Sequence, residues 1–272
     1  MNHPHDNFCK KTLRNRNAAL SFFREYLPKK VVEKIDWRTL KISKETFVTS
    51  EMKDRFSDLL YMARMRGNLI YIYILFEHQS TVDFWMGLRL LRYMLEIWEL
   101  FREQNPDENK LPKIFPMVLY HGKNKWNVKT NFIDLFNDTD DFEKYIPDFH
   151  YELNDLSSIS DSEIKGTIIV RLFLTFLKHI FSDNHSILFE RMIPLIVELA
   201  KTDRGMDYIR ILLTYLCETS DSLSLQEVEQ KLVPLLEKQK RGDIMTIADR
   251  LRQEGEKKGV KKGVLIGEIK LC

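Results

Sequence analysis

The chain has 272 residues, enough for one or two domains with a substantial hydrophobic core. With 44% hydrophobic and 30% charged residues it has the composition of a folded protein, which excludes a largely disordered chain. Lys and Arg total 42 against 40 Asp and Glu, and the resulting net charge of +2 favours neither a nucleic acid nor a membrane as partner.

The sequence has no recognisable signal for export or membrane insertion. Its three cysteines, Cys9, Cys217 and Cys272, are too few and too scattered for a disulfide framework, which indicates a reducing compartment. The N-terminal residues are polar and basic, so they lack the apolar stretch of a signal peptide. No apolar run reaches the roughly 18 residues that a membrane span needs. We therefore expect a cytoplasmic protein with no membrane partner.

The first elements are predicted from the spacing of apolar residues. Between residues 8 and 27 these recur at helical spacing, with Lys and Arg between them, which predicts one amphipathic helix. Pro28 ends that pattern, because proline disrupts a helix interior. Residues 37–48 then mix Trp, Thr, Ile, Phe and Val, a composition typical of an extended segment.

Two strand-like runs follow, over residues 56–65 and 69–79, and they are predicted to form a β-hairpin. Gly67 and Asn68 both tolerate positive φ, so they are the expected central residues of the turn. Residues 69–76 read LIYIYILF and are apolar on both faces. This pattern predicts a strand in the middle of a sheet, with cover on both sides.

Helices are predicted for most of the remaining chain. Residues 82–103 carry Trp and Leu at three- and four-residue steps, and residues 114–122 form one more short buried strand. After an acidic stretch, four segments between residues 164 and 239 have helical periodicity. The last segment has glycines four residues apart and is expected to be a solvated tail, because each glycine disfavours a helix by up to ~1 kcal/mol. These composition changes predict a core over 1–155, a helical region over 156–245 and a Gly/Lys/Glu-rich tail over 246–272.

Two acidic residues stand out because they lie in the apolar strand runs. Asp58 lies within FSDLLY and Glu77 ends the buried run, and a buried carboxylate costs several kcal/mol unless it is paired, hydrogen-bonded or metal-bound. If the turn lies at residues 67–68, cross-strand partners have numbers that sum to 135, as 58 and 77 do. Their side chains would then face each other about 5 Å apart. Gln79 shares the face of Glu77, whereas His78 points the other way.

A metal ion would explain this carboxylate pair. Two carboxylates so close together repel unless a cation lies between them or one is protonated. An all-oxygen site suits Mg²⁺ or Mn²⁺, which can activate a water and stabilise the charge on a phosphodiester under attack. In the alternative interpretation Asp58 and Glu77 lie at strand ends, where they are solvated or paired with Arg55 or Arg64. If the turn lies one residue away from residues 67–68, Asp58 and Glu77 also no longer lie directly opposite each other.

The same residues resemble those of a known nuclease superfamily. An acid in one strand, followed by Glu-x-Gln at the end of a buried strand, is similar to the PD-(D/E)XK pattern. More specifically, PHDNFCKKTL, SDLLY, YILFEHQS, MGLRLLRYM and FPMVLYHGKNKW resemble the Rpn family of recombination-promoting nucleases, also called YhgA-like or transposase-31 proteins. The resemblance runs from about residue 4 to residue 240. It implies an α/β fold with a restriction-endonuclease-like core, a central mixed β-sheet flanked by helices, and an all-helical C-terminal region.

The resemblance also implies roles for the acidic strand residues. Asp58 and Glu77 match the catalytic metal ligands, and the backbone carbonyl of His78 would be a further ligand. Gln79 stands where many superfamily members have a catalytic lysine. Glutamine cannot carry that charge, but Gln79 could orient the attacking water.

Four further residues are candidate accessory groups. Lys123 or Lys125, which follow the YHG strand, would supply the positive charge that Gln79 lacks. The family resemblance brings Asp6 towards the site, and the alternative for Asp6 is a helix N-cap. His121 either contacts phosphate or makes a structural hydrogen bond within the loop after its strand.

Together these features predict a Mg²⁺-dependent DNA endonuclease, with Mn²⁺ or Ca²⁺ as alternative metals. The resemblance implies double-stranded DNA as substrate, cut with little sequence preference, in the setting of recombination and mobile elements. The alternative is a catalytically inactive protein of the same fold that binds DNA or another protein. The sequence does not decide whether the protein forms a homo-oligomer. The low net charge of +2 argues against DNA binding, because Lys and Arg residues supply most of the affinity for phosphates. Local basic segments weaken this objection, and they lie at Lys10–Arg16, Lys123–Lys129 and Lys257–Lys262.

Overall fold

The computed structural model describes residues 4–43, 59–77, 82–181, 184–220 and 222–269. The chain divides into two compact units, Met1–Phe181 and Ser182–Cys272. The first unit contains a β-sheet with helices on both faces, and the described elements of the second are helices. Among the described residues, no helix combines the length and apolar character that crossing a membrane requires.

The chain starts with separate helices instead of the single one predicted over residues 8–27. These short helices are α1 (Pro4–Leu13), α2 (Arg16–Tyr26) and α3 (Lys29–Val32). Asn15 divides the first two, because its side chain accepts hydrogen bonds from the backbone N–H groups of Asn17 and Ala18, at 3.0 and 3.2 Å. This N-cap begins α2 afresh in the middle of a continuous apolar pattern.

The described strands form one mixed sheet in which neighbours in sequence are neighbours in space. In sheet order they are β1 (Ile35–Ile42), β2 (Leu59–Met65), β3 (Asn68–Glu77), β4 (Lys113–Tyr120) and β5 (Glu152–Asp155). β1, β2 and β3 pair antiparallel, whereas β3, β4 and β5 pair parallel. The predicted α/β class with a central mixed sheet is confirmed. The extended segment expected over 37–48 corresponds to β1, and its residues 44–48 lie outside the described residues.

The hairpin between β2 and β3 turns at Arg66 and Gly67, one residue earlier than predicted. Both have positive φ, 51° and 82°, as a type I′ turn requires. Met65 pairs with Asn68, so partner numbers sum to 133, and the predicted sum of 135 is wrong. The sequence predicts Gly67 as a turn residue correctly, but it carries no signal for Arg66, because arginine does not favour positive φ. Because the two sums differ by two, every residue keeps the face of the sheet that the prediction assigned.

β3 is buried on both faces, as its uninterrupted apolar sequence predicts. On one face Tyr71, Tyr73 and Leu75 pack against α4 (Met86–Gln104), the helix predicted over residues 82–103. The ring of Tyr93 in α4 lies 5.6 Å from the ring of Tyr73. Because α4 carries the chain from β3 to β4, this packing also supports the parallel pairing of those two strands.

The opposite face of the sheet is covered by α1 and α2, against which a later helix, α5 (Ile168–Lys178), packs. Phe23 of α2 meets Tyr61 of β2 edge to face, with ring centroids 4.9 Å apart. Phe8 of α1 meets Phe173 of α5 in the same way at 5.3 Å. The sheet is therefore the middle layer of three.

The first compact unit extends beyond residue 155, where the composition predicted its end. It reaches Phe181 because α5 buries its apolar residues against α1 and α2. Thr167, which precedes α5, also donates its backbone N–H to the Ser21 hydroxyl of α2 at 2.8 Å. Periodicity alone could not assign α5 to this unit, because an apolar helix fits a helical bundle equally well.

Short 3-10 helices connect the sheet to α5, at Phe132–Leu135, Glu143–Tyr145 and Asp161–Glu163. Asp161 accepts hydrogen bonds from Lys178 Nζ at 2.7 Å and His179 Nε2 at 2.8 Å, at the end of α5. Burial raises the pKa of Asp161, but the hydrogen bonds and electrostatic attraction of Lys178 and His179 outweigh it and lower that pKa from its ordinary value of 3.8 to about 2. The ionised carboxylate therefore ties the connecting turn to α5.

The second unit is built from helices α6 (His185–Ala200), α7 (Gly205–Thr219), α8 (Leu225–Leu232) and α9 (Lys238–Ile269). Ser224 caps α8 by accepting the backbone N–H of Glu227 at 3.1 Å. Lys231 of α8 forms ion pairs with Glu227 on its own helix and with Glu190 of α6, the latter at 2.7 Å. The predicted all-helical character of the C-terminal region holds for the described residues of this unit.

The segment expected to be a solvated, glycine-rich tail from residue 246 belongs to α9 as far as Ile269. The helix is continuous from Lys238 to Ile269, in spite of glycine at 255, 259, 263 and 267. Its first part is held by packing on α7 and α8, where Ile244 and Ala248 are buried. The expected boundary at residue 245 therefore falls inside α9. Tertiary contacts stabilise the first turns of this helix, and adding further turns to an existing helix costs less than starting a new one.

The turn geometry gives a test of the hairpin. Arg66→Asn should raise the free energy of unfolding by about 0.5 kcal/mol, because asparagine tolerates positive φ better than arginine. Gly67→Ala should lower it by about 1 kcal/mol, through backbone strain alone, since nothing lies within 4 Å of the added Cβ. Urea unfolding of both variants checks these values. Equal stability of Gly67→Ala and the parent would contradict the assigned φ.

The Asp161 contact should make stability depend on pH. A carboxylate whose pKa is lowered by folding stabilises the protein above pH 4 and loses that effect as the pH falls towards 2. Asp161→Asn should therefore cost about 1–2 kcal/mol at pH 7, and the cost should fall by roughly half at pH 3. Asp140, an exposed aspartate without a hydrogen bond among the described residues, provides the control Asp140→Asn. A pH-independent cost would rule out the ion pair as its cause.

Candidate functional site

The carboxyl ends of the three parallel strands meet at one edge of the sheet. Glu77 of β3 pairs with Tyr120 of β4, which in turn pairs with Asp155 of β5, so the three residues lie at one level. β2 runs in the opposite direction and therefore begins at this same edge with Leu59. We call this region the carboxyl edge. In open α/β sheets, ligands bind outside the carboxyl ends of parallel strands.

The predicted catalytic residues are adjacent in sequence to this edge. Glu77 is the last residue of β3, whereas Asp58, His78 and Gln79 lie outside the described residues. The register that would place Asp58 directly opposite Glu77 is wrong, because partner numbers sum to 133. Their roles as metal ligands, and that of Gln79, stay predictions. Within the described ranges, no group of three or more His, Cys, Asp or Glu side chains could hold a metal ion.

His121 immediately follows β4 and is buried, with 1% of its surface exposed. Its ring lies 5.7 Å from the ring of His5 in α1 and 6.4 Å from that of Phe181. The ring is therefore packed among other side chains, and both roles considered for His121, contact with a phosphate and a hydrogen bond within the loop, stay predictions. The same contact brings the first turn of α1, which contains Asp6, to the end of β4.

Asp6 lies in the first turn of α1, where the helix dipole favours a negative charge, and its Oδ1 atom is buried. One turn later, Cys9 is fully buried. Burial, and then the Asp6 carboxylate, raise the pKa of the Cys9 thiol. A thiol that stays protonated at neutral pH is neither a nucleophile nor a metal ligand, so Cys9 takes no part in the chemistry of the site.

The loop after β4 carries the two predicted accessory lysines. Tyr120 folds back beneath this loop and donates its hydroxyl to the Asn124 carbonyl at 2.7 Å. Only glycine fits at position 122, because a Cβ there would lie 2.1 Å from the Tyr120 hydroxyl oxygen. Lys123 and Lys125 are consequently held on an ordered turn with their side chains exposed.

Asp155, at the end of β5, holds this loop against the next one. One of its carboxylate oxygens accepts the backbone N–H of Trp126 at 3.1 Å. The other accepts the backbone N–H and the hydroxyl of Ser157, at 2.9 and 2.6 Å. The ring of Trp126 also meets that of Tyr120 at 5.0 Å. The sequence offered no signal for this role, because Asp155 is one of many acidic residues in its stretch.

Comparison with known families agrees with the geometry of this sheet. Residues 3–207 match the family model described as "Putative transposase, YhgA-like". The chain belongs to this family. The YhgA-like family membership confirms the resemblance noted in the sequence, and with the mixed sheet and flanking helices it supports an α/β restriction-endonuclease-like fold. No solved structure matches the chain.

The curated relatives of this YhgA-like chain include nucleases and a protein named as inactive. "Recombination-promoting nuclease RpnD" of Escherichia coli O157:H7 is 30% identical over 254 residues, which cover 92% of this chain and 95% of RpnD. "Recombination-promoting nuclease RpnA" of strain K12 is 28% identical over 269 residues, or 98% of this chain and 89% of RpnA. "Inactive recombination-promoting nuclease-like protein RpnE" of the same strain is 26% identical, covering 99% of this chain and 88% of RpnE.

The contacts of Asp155 predict that its carboxylate stabilises the loop that carries the lysines. Asp155→Asn should lower the free energy of unfolding by about 1–3 kcal/mol, because an amide cannot accept from all three donors. Thermal unfolding followed by tryptophan fluorescence measures the effect. The control Asp134→Asn removes an exposed carboxylate with one side-chain contact, to Asn131, and should change stability by less than about 0.5 kcal/mol. Equal effects of the two substitutions would contradict the role of Asp155.

Proposed function

We propose that this chain is a metal-dependent DNA endonuclease that hydrolyses phosphodiester bonds with little sequence specificity. The observation that carries the proposal is the alignment, over nine-tenths or more of the chain, with relatives named as recombination-promoting nucleases. Double-stranded DNA is the proposed substrate, and recombination or the movement of mobile elements is the proposed setting. The position of Glu77 at the carboxyl edge is consistent with such a site.

In this proposal Asp58, Glu77 and the backbone carbonyl of His78 would hold Mg²⁺, with Mn²⁺ or Ca²⁺ as alternatives. Two carboxylates and a carbonyl are the oxygen ligands that these cations prefer. The bound metal would lower the pKa of a water and stabilise charge on the phosphate. Gln79, which cannot titrate, would orient the attacking water through its amide.

Positive charge for the substrate would come from the loop after β4. Lys123 and Lys125 are exposed and have no ion pair among the described residues. They would neutralise DNA phosphates, so binding should weaken steeply as salt rises. Arg16, one of the basic residues near the N-terminus, is committed elsewhere. Its guanidinium donates to three backbone carbonyls of β1, at 2.8 to 3.3 Å.

A second candidate function is a DNA-binding or protein-binding protein that keeps the fold without catalysis. It is favoured by the relatives named as inactive, RpnE among them. Gln79 in place of a lysine points the same way, because it removes a charged group from the proposed site. Activity of the purified protein decides between the two candidates.

Nicking of supercoiled plasmid tests the proposed function. The parent protein should nick DNA with Mg²⁺, Mn²⁺ or Ca²⁺ and not with EDTA. Asp58→Ala should reduce the rate by at least about 100-fold, because it removes a metal ligand. The control Asp107→Ala changes an exposed aspartate before β4, away from the carboxyl edge, and should leave the rate unchanged. Full cleavage by Asp58→Ala would overturn the assignment, and no nicking with any metal would favour the second candidate.

The substitution Gln79→Lys tests whether the proposed site needs the positive charge of the lysine that many superfamily members have at this position. A lysine at this position would restore the residue that many superfamily members have, so the variant should keep or raise the nicking rate. Gln79→Leu is the matched control, because it keeps the volume and removes both the amide and any charge. We expect Gln79→Leu to lower the rate. A rate for Gln79→Lys as low as that for Gln79→Leu would argue that position 79 needs an amide in particular.

A further inference from the structure

The helix α4 is apolar on two faces, but only one of them is covered. Its inner face packs on the sheet and has buried residues in every turn from Met86 to Phe101. The opposite side, which we call the outer face, carries a second set of apolar residues: Phe84, Leu88, Leu91, Leu95 and Trp98. A helix that is apolar all round is normally buried, so the exposure of the outer face requires an explanation.

The spacing of these outer residues is that of a coiled-coil seam. They recur at alternating steps of four and three residues, at positions 84, 88, 91, 95 and 98, and at about 100° per residue they form one stripe along the helix. In a coiled coil, such side chains insert between those of a second helix with the same spacing. The partner that fits this face is therefore another helix.

α4 is itself a helix that matches this stripe. From residue 84 to residue 95 the steps are four, three and four, which is the same series when read from either end. A second copy of α4 that runs in the opposite direction therefore brings Leu88 against the partner's Leu91. In the same register Phe84 lies against the partner's Leu95. Such self-complementarity is what the interface of a two-fold symmetric dimer requires.

The charged residues beside the stripe do not oppose the approach of a second copy. Between residues 83 and 98 they form two ion pairs, Arg89 with Asp83 at 2.9 Å and Arg92 with Glu96 at 3.1 Å. Because neither sign is in excess, this face does not favour a strongly charged partner such as DNA. In the antiparallel register, the partner's Arg92 comes next to the exposed ring of Trp85, where a cation–π contact adds to the apolar one.

The area of the outer face is sufficient for a weak but specific dimer. The residues that are 50 to 57% exposed on this face are Phe84, Trp85, Leu88 and Leu95. With side-chain surfaces of roughly 150–250 Å² each, they expose about 400 Å² of apolar surface in each copy. Two copies would therefore cover about 800 Å², and the polar residues around the stripe raise the total above the roughly 1,000 Å² that a specific interface needs.

We propose that the outer face of α4 is the interface of a two-fold symmetric dimer of this chain, in which two α4 helices pack antiparallel. The dimer covers the second apolar face of α4 in the way that the sheet covers the first. The proposal does not depend on whether the chain cleaves DNA, because the stripe and its pairing involve no residue of the proposed metal site.

Sedimentation velocity of the full chain tests the dimer. The parent should pass from monomer to dimer between about 1 and 100 µM, the range expected of a small interface. Leu95→Glu should raise the dissociation constant at least about tenfold, because it buries a carboxylate among apolar side chains. The matched control is Leu235→Glu, since Leu235 is 56% exposed in the second compact unit, and it should leave the dissociation constant unchanged. Circular dichroism confirms that both variants are folded.

Mixtures of two variants test the antiparallel register. Leu95→Glu mixed with Phe84→Lys should restore dimers, because the antiparallel register brings positions 95 and 84 together as an ion pair. The control mixture of Leu95→Glu with Leu95→Lys should not, since equal positions meet only in a parallel pair. A parent that stays monomeric at about 100 µM, or a dimer unaffected by Leu95→Glu, would overturn the proposal. Restoration in the control mixture alone would contradict the antiparallel packing.

Discussion

The burial of β3 on both faces is the constraint on which the rest of the structure depends. The six residues from Ile70 to Leu75 are each at most 4% exposed, and a strand so enclosed needs a layer of helices on either side. α4 forms one layer, and because it also connects β3 to β4 it makes those strands parallel. The ends of β3, β4 and β5 consequently lie side by side. The loop after β4 is thereby brought against the end of β5, where Asp155 accepts the backbone N–H of Trp126.

Hydrogen bonds inside the fold, rather than net charge, decide which charged groups remain available. Arg16 is occupied by the carbonyls of β1, and Asp161 by the end of α5. Lys123 and Lys125 remain exposed because Tyr120 and Asp155 fix the loop beneath them without using the lysine side chains. A chain with a net charge of +2 can therefore present a local positive surface, since many of its other charges are compensated within the fold.

The sequence predicted the elements whose signal is local. The apolar run of β3 and the three- and four-residue steps of α4 gave these elements within a few residues of their observed ends. Features that depend on distant contacts were missed. Positive φ at Arg66 is imposed by the strands that it joins, and the start of α9 is held by α7 and α8. For the candidate site, the sequence selects Glu77 and the lysines by residue type, and their roles stay predictions. The contacts of Asp155 with the loop after β4 could not be predicted, because they exist only once β4 and β5 pair in parallel.

The tight turn at Arg66 and Gly67 also limits how this family can change during evolution. A two-residue turn of this kind needs positive φ at both central residues, a conformation that glycine adopts at the lowest cost. A relative with one more residue here would use a different turn, in which the loop holds the extra residue and Leu59, Tyr61 and Ala63 keep their places in the core. A relative that keeps the two-residue turn should therefore carry glycine or asparagine at one of its central positions.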